Sequence, residues 1–313
     1  MNKFSSTLPL ELENPFVKLF TKNPFYYTQY GAAYLGDSIE LMKFLPDKSI
    51  NLILTSPPYA LVFKKEYGNV DAEDYITWFM KFAEEFYRVL TDDGSLVLNI
   101  GGAWNKGEPT RSTYHFELLV ELTKIFHLAQ DFYWYNPAKL PSPAEWVNVR
   151  RIRVKDSVEL VLWLSKDPFP KADNRKILNP YSKDMERLIE NGYVAKKRPS
   201  GHNITHKFQK KNGGSIPPNL LRIGNTDSSS EYLKMCKKNN IKPHPARFPK
   251  ELPQFFIDFL TEPGDVVLDP FGGSNVTGYV AEANKRKWIC FESVRKYLEG
   301  SKFRFPWVNS KEI

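Results

Sequence analysis

Short apolar runs alternate with longer amphipathic stretches along most of this chain. Three of these runs, residues 50–54, 95–100 and 266–268, end at turn-forming or polar residues, as buried strands do, and 158–164 and 288–292 are two more candidates of the same kind. Between the first two runs, residues 75–90 repeat apolar side chains at three- and four-residue spacing, which predicts an amphipathic helix. Strands that alternate with helices predict an open α/β sheet with mainly parallel strands.

This periodic pattern stops between about residues 168 and 243, where Pro, Gly, Asn and Lys dominate. A loop region of this length inside a compact protein is usually functional or disordered. Its content of Ile, Leu, Phe and Tyr favours ordered recognition loops. The sequence therefore divides into residues 30–167, a loop-rich insertion at 168–243, and residues 244–307.

The composition is that of a globular protein, since 42% of the 313 residues are hydrophobic and 14% are aromatic. The formal net charge of +8 is distributed unevenly. Residues 138–211 contain 17 Lys and Arg against 8 Asp and Glu, so this segment carries the whole positive excess. Such a segment either neutralises the phosphates of a nucleic acid or forms an ordinary solvated face, and charge alone does not decide between them.

Several kinds of protein are disfavoured by the sequence. No apolar run approaches the ~20 residues that a membrane span needs, and residues 1–9 lack a signal-peptide pattern. Cys236 and Cys290 are too few for a disulfide framework, which suits the reducing cytoplasm. The histidines show no metal-ligand spacing with these cysteines, so no metal site is predicted. We expect a cytoplasmic protein without a membrane partner.

The most specific motif is Ser56-Pro57-Pro58-Tyr59, which comes directly after the first apolar run and Thr55. Ligands of open α/β sheets bind at the carboxyl ends of strands, where this motif would lie. The two prolines fix the backbone and lack N–H donors, so their carbonyl oxygens remain as acceptors. This arrangement suits an amino substrate, although a plain strand-to-loop turn with Tyr59 in the core is the alternative.

The chemistry of an amino group attached to the ring of a nucleic-acid base explains why such acceptors matter. The lone pair of this exocyclic nitrogen is delocalised into the ring, which makes the nitrogen a poor nucleophile. If the Ser56 hydroxyl and the Pro57 carbonyl accept its two hydrogens, the lone pair is localised and the developing charge is stabilised. We expect the Tyr59 ring to stack on the base, which must first be rotated out of a duplex.

A second motif, residues 269–275 with the sequence Asp-Pro-Phe-Gly-Gly-Ser-Asn, also follows an apolar run. Glu292 lies 23 residues after Asp269, a spacing that fits a Rossmann-like cofactor site in which glycines allow close approach and the acid binds ribose hydroxyls. A diphosphate would be repelled by Asp269, whereas a cofactor with a positive sulfonium tolerates it. Taken alone, the motif also fits a simple glycine turn.

Together the two motifs resemble those of the DNA amino-methyltransferases, in the order found in the beta group, where the catalytic tetrapeptide precedes the cofactor loop. The chain is similar in particular to the PvuII type of cytosine-N4 methyltransferases across about residues 34–307, including 64–69, 139–143, 145–148, 198–202 and 213–220. This resemblance implies a Rossmann-like methyltransferase fold with permuted motif order. It also implies S-adenosylmethionine as the methyl donor and the N4 amino group of a flipped-out cytosine in duplex DNA as the acceptor.

The same resemblance implies partners and a role for each part of the chain. Residues 30–167 would be the catalytic part, 168–243 the target-recognition region and 244–307 the cofactor-binding part. The protein would be a monomer that protects a short palindrome from a partner restriction endonuclease. The palindrome would be CAGCTG if the recognition loops also match.

Individual site residues follow from the motifs and the resemblance. The catalytic residues would be Ser56, Pro57, Pro58 and Tyr59. The cofactor residues would be Asp37, His244, Pro245, Arg247, Phe248, Asp269, Pro270, Phe271, Gly272, Gly273, Ser274, Asn275 and Glu292, with helix capping as the alternative for Asp37. The candidate DNA contacts are Arg198, His202, Lys207, Lys210 and Lys211, most of them with phosphates.

One position departs from the PvuII type, which has an acid at the end of its second strand where this chain has Asn99. That acid is a candidate proton acceptor in the family, so its absence leaves Ser56 and water to take the proton. We therefore assign no general base from the sequence. Asn99 would either orient the cofactor or Ser56, or be a buried amide satisfied by its neighbours.

Other functions remain open at this point. Adenine-N6 methylation uses similar tetrapeptides, although these usually begin with Asp or Asn rather than Ser. A non-catalytic DNA-binding protein with this fold would keep the basic segment without needing to bind S-adenosylmethionine. RNA or protein methylation fits the long insertion less well. Methylation at cytosine carbon 5 fits poorly, because neither Cys236 nor Cys290 adjoins a proline.

Overall fold

The structure, a computed structural model, describes residues 23–60, 70–192, 210–226 and 230–305, which build a nine-stranded sheet flanked by helices. In chain order the strands are β1 (Tyr26–Tyr27), β2 (Gly31–Leu35), β3 (Ile50–Thr55), β4 (Leu90–Ile100), β5 (His127–Tyr135), β6 (Val158–Ser165), β7 (Leu220–Arg222), β8 (Val266–Asp269) and β9 (Lys287–Glu292). Their spatial order is β1-β2-β9-β8-β3-β4-β6-β5-β7. Each of the apolar runs predicted to be strands is a strand of this sheet.

The α-helices within the described ranges are α1 (Ser38–Met42), α2 (Ala72–Val89), α3 (Tyr114–Leu122), α4 (Lys183–Asn191), α5 (Glu231–Lys238), α6 (Glu251–Leu260), α7 (Val276–Ala283) and α8 (Arg295–Ser301). A π-helical turn covers Glu145–Val149, and 3-10 turns cover Asn174–Ile177 and Lys302–Arg304. The predicted helix at 75–90 is α2, which begins three residues earlier and ends at Val89. Across the described ranges, no helix is both long enough and apolar enough to cross a membrane.

Apolar side chains form a core on each face of the sheet. On one face Ile53 and Leu98 pack with α1, α2 and α3, and on the other Leu54 and Val97 pack with α6 and α7. Successive residues of a strand point to opposite faces, so a central strand covered on both sides reads as a continuous apolar run. Each large apolar side chain that is fully buried in this way contributes roughly 1.5–3 kcal/mol.

The sheet is parallel at its centre and antiparallel on one side. The five strands β2, β9, β8, β3 and β4 run parallel to one another, whereas β6 is antiparallel to both β4 and β5. The sequence pattern correctly predicts a strand at residues 158–164 in a mainly parallel sheet, but it does not reveal that this strand is antiparallel to its neighbours. The reason is that an apolar run reports burial on both faces and carries no information on strand direction.

The carboxyl ends of the central strands meet at one edge of the sheet, where β3 ends at Thr55, β8 at Asp269 and β9 at Glu292. Because β6 is antiparallel, its amino end lies at this edge too, and Ile100 at the end of β4 pairs with Leu160 near the start of β6. From β3 the chain continues to β4 on one side, and from β8 to β9 on the other. Open α/β sheets bind ligands where connections diverge in this way.

The region predicted to be loop-rich also contains regular structure. Strand β7 pairs in parallel with β5 at the edge of the sheet, and its Leu221 is buried. Helix α5 buries Tyr232 and Cys236. These elements, together with α4, are too short for their apolar positions to form a recognisable repeat.

Candidate active site

A cavity of about 720 Å³ opens at the carboxyl edge of the sheet. Residues 56–59, here called the proline loop, follow β3 and line it, and so does most of residues 269–275, the glycine loop, which begins at the end of β8. Further wall residues come from other segments, among them Asp37, Asn99, Lys139, Glu159, Glu292 and residues 244–248. The structure thus brings the two sequence motifs together in one site.

Asp269 connects the two loops. Its carboxylate accepts hydrogen bonds from the hydroxyls of Thr55 (2.7 Å) and Thr277 (2.8 Å) and from the amide of Phe271 (3.1 Å). Burial raises the pKa of Asp269 to about 6, and the hydrogen bonds offset only part of this increase. Both carboxylate oxygens are used within the protein, so Asp269 holds the ends of β3 and β8 and the start of α7 in register.

The glycines of the glycine loop are required by close packing. A Cβ atom at Gly272 would lie 2.1 Å from the Cys290 sulfur, and one at Gly273 would lie 3.1 Å from the His244 ring. Gly273 also has a φ of 51°, in the left-handed region that favours glycine. The loop can therefore lie against β9 and residue 244 only with glycine at both positions.

Glu292 lies at the end of β9, where it lines the cavity. One carboxylate oxygen accepts a hydrogen bond from the Gly273 amide (2.8 Å) and the other from the Val294 amide (2.7 Å). Burial raises the pKa of Glu292 above its ordinary value, and these amide donors act in the opposite direction. A carboxylate oxygen has two lone pairs, so each retains capacity to accept from a ligand hydroxyl.

Asn275, predicted as a cofactor residue, has a different place in the structure. It is fully buried, does not line the cavity, and adopts a φ of 52° as the N-cap of α7. Its Oδ1 accepts from the Gly278 amide (3.0 Å) and its Nδ2 donates to the Tyr26 hydroxyl (2.9 Å). Asn275 therefore stabilises the helix that follows the glycine loop.

The segment 244–248 and Asp37, where further cofactor residues are predicted, both line the cavity. Burial lowers the pKa of His244 to about 4, so its ring is neutral at pH 7. That ring lies edge-on to Tyr297, with centroids 4.4 Å apart. Asp37 is also the N-cap of α1, where its carboxylate accepts from the Glu40 amide (3.1 Å). Capping and a position on the cavity wall therefore occur together at Asp37.

The proline loop carries a hydrogen-bond network that ends on a carboxylate. The Ser56 hydroxyl donates to the Tyr59 hydroxyl (3.2 Å), which in turn donates to Glu159 Oε2 (2.8 Å). Asn99 Nδ2 donates to the Tyr59 oxygen (2.9 Å) and to Glu159 Oε2 (3.1 Å). Lys139 Nζ pairs with Glu159 Oε1 at 3.0 Å. The site thus contains an acid at hydrogen-bond distance from Tyr59.

Tyr59 itself is partly buried and packs against the core. A Cβ atom at Gly101 would lie 2.5 Å from its ring, so the glycine makes room for the aromatic side chain. Burial raises the pKa of Tyr59 well above its usual value and the neighbouring Glu159 raises it further, which keeps the phenol protonated at neutral pH. The Pro58 carbonyl accepts from the Tyr75 hydroxyl of α2 at 2.9 Å and is therefore held by the protein itself.

Glu159 and Lys139 were not predicted as site residues. Glu159 is an acid near the start of an otherwise apolar run, a signal that becomes informative only when the direction of β6 is known. Lys139 belongs to the stretch 139–143 that resembles the PvuII type, but as one of many cations in the basic segment it was given no role in the site. Asn99, whose role was left open, has a satisfied Nδ2, whereas its buried Oδ1 has no hydrogen-bond partner within the described ranges.

Of the predicted DNA contacts, Lys210 and Lys211 are exposed and do not line the cavity. Arg198, His202 and Lys207 lie outside the described residues. Another basic stretch does reach the cavity: residues 137–157 contribute Lys139 to its wall and expose Arg150, whose guanidinium lies over Trp146 at 5.0 Å.

Comparison with known proteins gives consistent matches over nearly the whole chain. A family model described as DNA methylase matches residues 50–303. The type II methyltransferase M.PvuII from Proteus hauseri is 55% identical over 298 residues, which are 94% of this chain and 89% of that protein. The solved structure of the PvuII DNA methyltransferase (cytosine-N4-specific) superposes with a TM-score of 0.76 at 47% identity, covering 94% of this chain and 92% of that chain. The M1.HpyAVI–SAM complex, at 19% identity, a TM-score of 0.54 and 88% and 99% coverage, shares the fold.

Proposed function

The chain belongs to the DNA methylase family, and from this premise we propose that it transfers a methyl group from S-adenosylmethionine to the N4 amino group of a cytosine in duplex DNA. Family membership confirms the family resemblance and the permuted α/β methyltransferase fold inferred from the sequence. One observation carries the assignment of chemistry: Ser56 and its hydrogen-bond network line the same cavity as the glycine loop. The choice of cytosine is supported by the 55% identity to M.PvuII, whose solved structure is described as cytosine-N4-specific.

The proline loop has the groups needed to activate an amino nitrogen. The Ser56 hydroxyl gives its hydrogen to Tyr59, so its lone pairs are free to accept from the target amino group. Pro57 lines the cavity and its carbonyl is the second acceptor, while the Pro58 carbonyl accepts from Tyr75. Two acceptors localise the nitrogen lone pair and stabilise the charge that develops as the new bond forms. Tyr59 is the aromatic residue of this loop on which the base stacks.

The cavity wall also fits S-adenosylmethionine. Asp37 and Glu292 present carboxylate oxygens for hydroxyl groups, and Phe271, whose ring centroid lies 6.0 Å from that of Trp78, provides an apolar surface for a flat ring. Acidic groups in a partly buried site favour a positively charged ligand over a diphosphate. When bound, this cofactor supplies a methyl group on an electron-poor sulfur.

Basic side chains around the cavity suit a duplex substrate. Lys139 is at the cavity wall, and Arg150 and Arg151 are exposed on the same stretch of chain. Exposed cations of this kind bind phosphates and position the duplex without reading its sequence. Base reading then belongs to residues 168–243, with Arg198, His202, Lys207, Lys210 and Lys211 as the proposed contacts.

The biological setting follows from the type II relative. The protein acts as a cytoplasmic monomer on a short palindrome and protects it from a cognate restriction endonuclease. CAGCTG is the first sequence to test, because residues 198–202 and 213–220 are similar to the PvuII type. Methylation of a CAGCTG duplex but not of a duplex with one central base pair changed supports this target, and equal methylation of both contradicts it.

The reaction is tested by incubating the full chain with methyl-labelled S-adenosylmethionine and plasmid DNA, digesting the DNA, and identifying the labelled nucleoside. We expect N4-methylcytosine. Ser56→Ala should lower the rate by about 100-fold or more, because it removes an acceptor that acts on the reacting nitrogen. Ser49→Ala is the matched control, since Ser49 precedes β3, does not line the cavity, and donates its hydroxyl to the Pro46 carbonyl at 2.7 Å.

The other outcomes identify the competing functions. Labelled N6-methyladenine would keep the fold and cofactor and overturn the choice of cytosine. A protein that binds DNA but neither binds S-adenosylmethionine nor labels DNA would be a non-catalytic binding module. Equal rates for Ser56→Ala and Ser49→Ala would contradict the role of the Ser56 hydroxyl.

A further inference from the structure

Glu159 is a carboxylate that the antiparallel strand β6 brings to the catalytic end of a parallel sheet. In the β4–β6 register Ile100 pairs with Leu160, so Glu159 lies just beyond the last residue of β4. Its side chain is 17% exposed and lines the cavity together with Ser56 and Tyr59. An acid in so enclosed a position needs hydrogen-bond donors, and the structure supplies them.

Three donors face this carboxylate. Oε2 accepts from the Tyr59 hydroxyl at 2.8 Å and from Asn99 Nδ2 at 3.1 Å, while Oε1 accepts from Lys139 Nζ at 3.0 Å. All three groups can donate to Glu159, an arrangement that suits a carboxylate acting as a proton acceptor.

An ionised Glu159 sets the direction of the hydrogens in the network. The Tyr59 oxygen accepts from Asn99 Nδ2 at 2.9 Å and from the Ser56 hydroxyl at 3.2 Å, which leaves its own hydrogen for Glu159. The orientation of the Asn99 amide is determined as well, because its oxygen would be repelled if it faced the carboxylate. A continuous path of hydroxyl groups therefore leads from Ser56 to Glu159.

We propose that Glu159 is the terminal proton acceptor of the methyl transfer, reached through Ser56 and Tyr59; this inference rests on the proposed function. As the nitrogen lone pair forms the new N–C bond, the bond between the methyl carbon and sulfur breaks and the sulfur keeps that electron pair. The nitrogen then gives one proton to the Ser56 oxygen, Ser56 gives its hydroxyl proton to the Tyr59 oxygen, and Tyr59 gives its proton to Glu159 Oε2. Charge and protons balance, since both hydroxyl groups end neutral and the released proton is on Glu159.

Other features of the site agree with this relay. The raised pKa of Tyr59 keeps the phenol protonated, so Tyr59 passes a proton on without holding a negative charge. Asn99 acts as a positioning residue, because its Nδ2 orients both Tyr59 and Glu159. Within the described ranges, the charged and titratable groups that face Glu159 are Lys139, Tyr59 and Tyr114. Lys139 compensates the negative charge while the carboxylate waits for the proton.

The test compares single-turnover methylation rates of the full chain and of Glu159→Gln from pH 5 to pH 9, with saturating S-adenosylmethionine and a duplex substrate. Glutamine keeps the size and an acceptor for Tyr59 but cannot take a proton. We expect a rate about 100-fold lower for Glu159→Gln at pH 8. The wild-type rate should decline at acidic pH, and this decline should be absent in Glu159→Gln. Glu84→Gln, which changes an exposed glutamate on α2 that does not line the cavity, should retain the wild-type rate and pH profile.

Tyr59→Phe breaks the same path and keeps the packing of the ring, so it tests the relay even if Glu159→Gln fails to fold. Its rate should fall by a similar factor, and the double variant should be no slower than either single variant. A Glu159→Gln rate within about threefold of wild type, or losses that multiply in the double variant, would overturn the relay. If the wild-type protein transferred no label to cytosine N4, the proposed function itself would be refuted. This outcome is distinct from a failure of the relay, in which the wild type is active and the variants keep its rate.

Discussion

The proline loop and the glycine loop line one cavity, but they use their polar groups differently. In the glycine loop, both carboxylate oxygens of Asp269 and both polar atoms of the Asn275 amide have hydrogen-bond partners within the protein. Around the proline loop, the Ser56 hydroxyl is only partly buried, and Asn99 Oδ1 has no partner among the described residues. One loop is held by the fold, whereas the other keeps acceptors for a ligand.

This difference predicts that substitutions in the two loops affect different properties of the protein. Because the polar groups of the glycine loop are buried and internally bonded, substitutions there should lower the free energy of unfolding and cofactor binding together. Substitutions at Ser56 should instead lower the methylation rate with little change in stability. Three further substitutions test how sharply the two loops differ in this respect.

Gly272→Ala should give the largest loss of stability. The added Cβ would lie 2.1 Å from the Cys290 sulfur and 3.3 Å from the Phe291 carbonyl oxygen, both of them buried, so the loop must move away from β9. We expect the free energy of unfolding to fall by about 3 kcal/mol, the upper range for overpacking. Urea denaturation measures the loss, and calorimetry should show weaker S-adenosylmethionine binding.

Gly224→Ala is the matched control for this substitution. A Cβ atom at Gly224 would find only the Thr226 methyl group, at 3.9 Å, so its stability should stay within about 0.5 kcal/mol of wild type. If Gly272→Ala were as stable as this control, the tight packing inferred for the glycine loop would be incorrect.

Asp269→Asn should produce the next largest effect, and its sign depends on pH. The pKa of Asp269 is raised from 3.8 to about 6 in the folded protein, so ionisation disfavours the folded state. The contribution of the protonated group to stability is therefore lost as pH rises through about 6. Between pH 5 and pH 8 the free energy of unfolding of the wild type should fall by about 1 to 2 kcal/mol relative to Asp269→Asn, which does not titrate.

Denaturation curves for both proteins at several pH values measure this difference. Gly224→Ala, which changes no titratable group, should show the pH dependence of the wild type. If the free energy of unfolding changed with pH in the same way for wild type and Asp269→Asn, the inferred burial of the Asp269 carboxyl in the glycine loop would be incorrect.

The parts of this molecule that the sequence predicts are those determined by local pattern. Strands β3, β4, β8 and β9 are covered on both faces, so each appears as an apolar run that ends at a turn. The proline loop and the glycine loop follow such runs directly, which places both at the carboxyl edge of the sheet. Family resemblance adds the chemistry that these positions imply.

The parts that the sequence does not predict depend on how distant segments meet. Strand β5 (His127–Tyr135) is largely exposed along its first half and so lacks an apolar run. The direction of β6 is invisible in its composition, and with it the position of Glu159 beside Tyr59. Asn275 was assigned to the cofactor by its place in a motif, whereas its left-handed backbone makes it a helix cap.

Tyr75→Phe should have the smallest effect, and it probes the point where the fold supports the proline loop. The Tyr75 hydroxyl donates to the Pro58 carbonyl at 2.9 Å, while its ring packs edge-on against Tyr114 with centroids 4.8 Å apart. Phenylalanine keeps the ring contact and leaves the carbonyl without this donor, which should cost about 1 kcal/mol of stability. Because Ser56 and Tyr59 retain their own bonds, the methylation rate should fall by less than about threefold.

Thermal denaturation and single-turnover rates of Tyr75→Phe are best compared with those of Tyr87→Phe, a change on the same helix at a residue that is 42% exposed. The control should match wild type in both measurements. If Tyr75→Phe instead lost activity as severely as Ser56→Ala while remaining fully stable, the Pro58 carbonyl would have to act in the reaction. The proline loop would then depend on α2 for its chemistry, and the contrast with the glycine loop would be one of degree only.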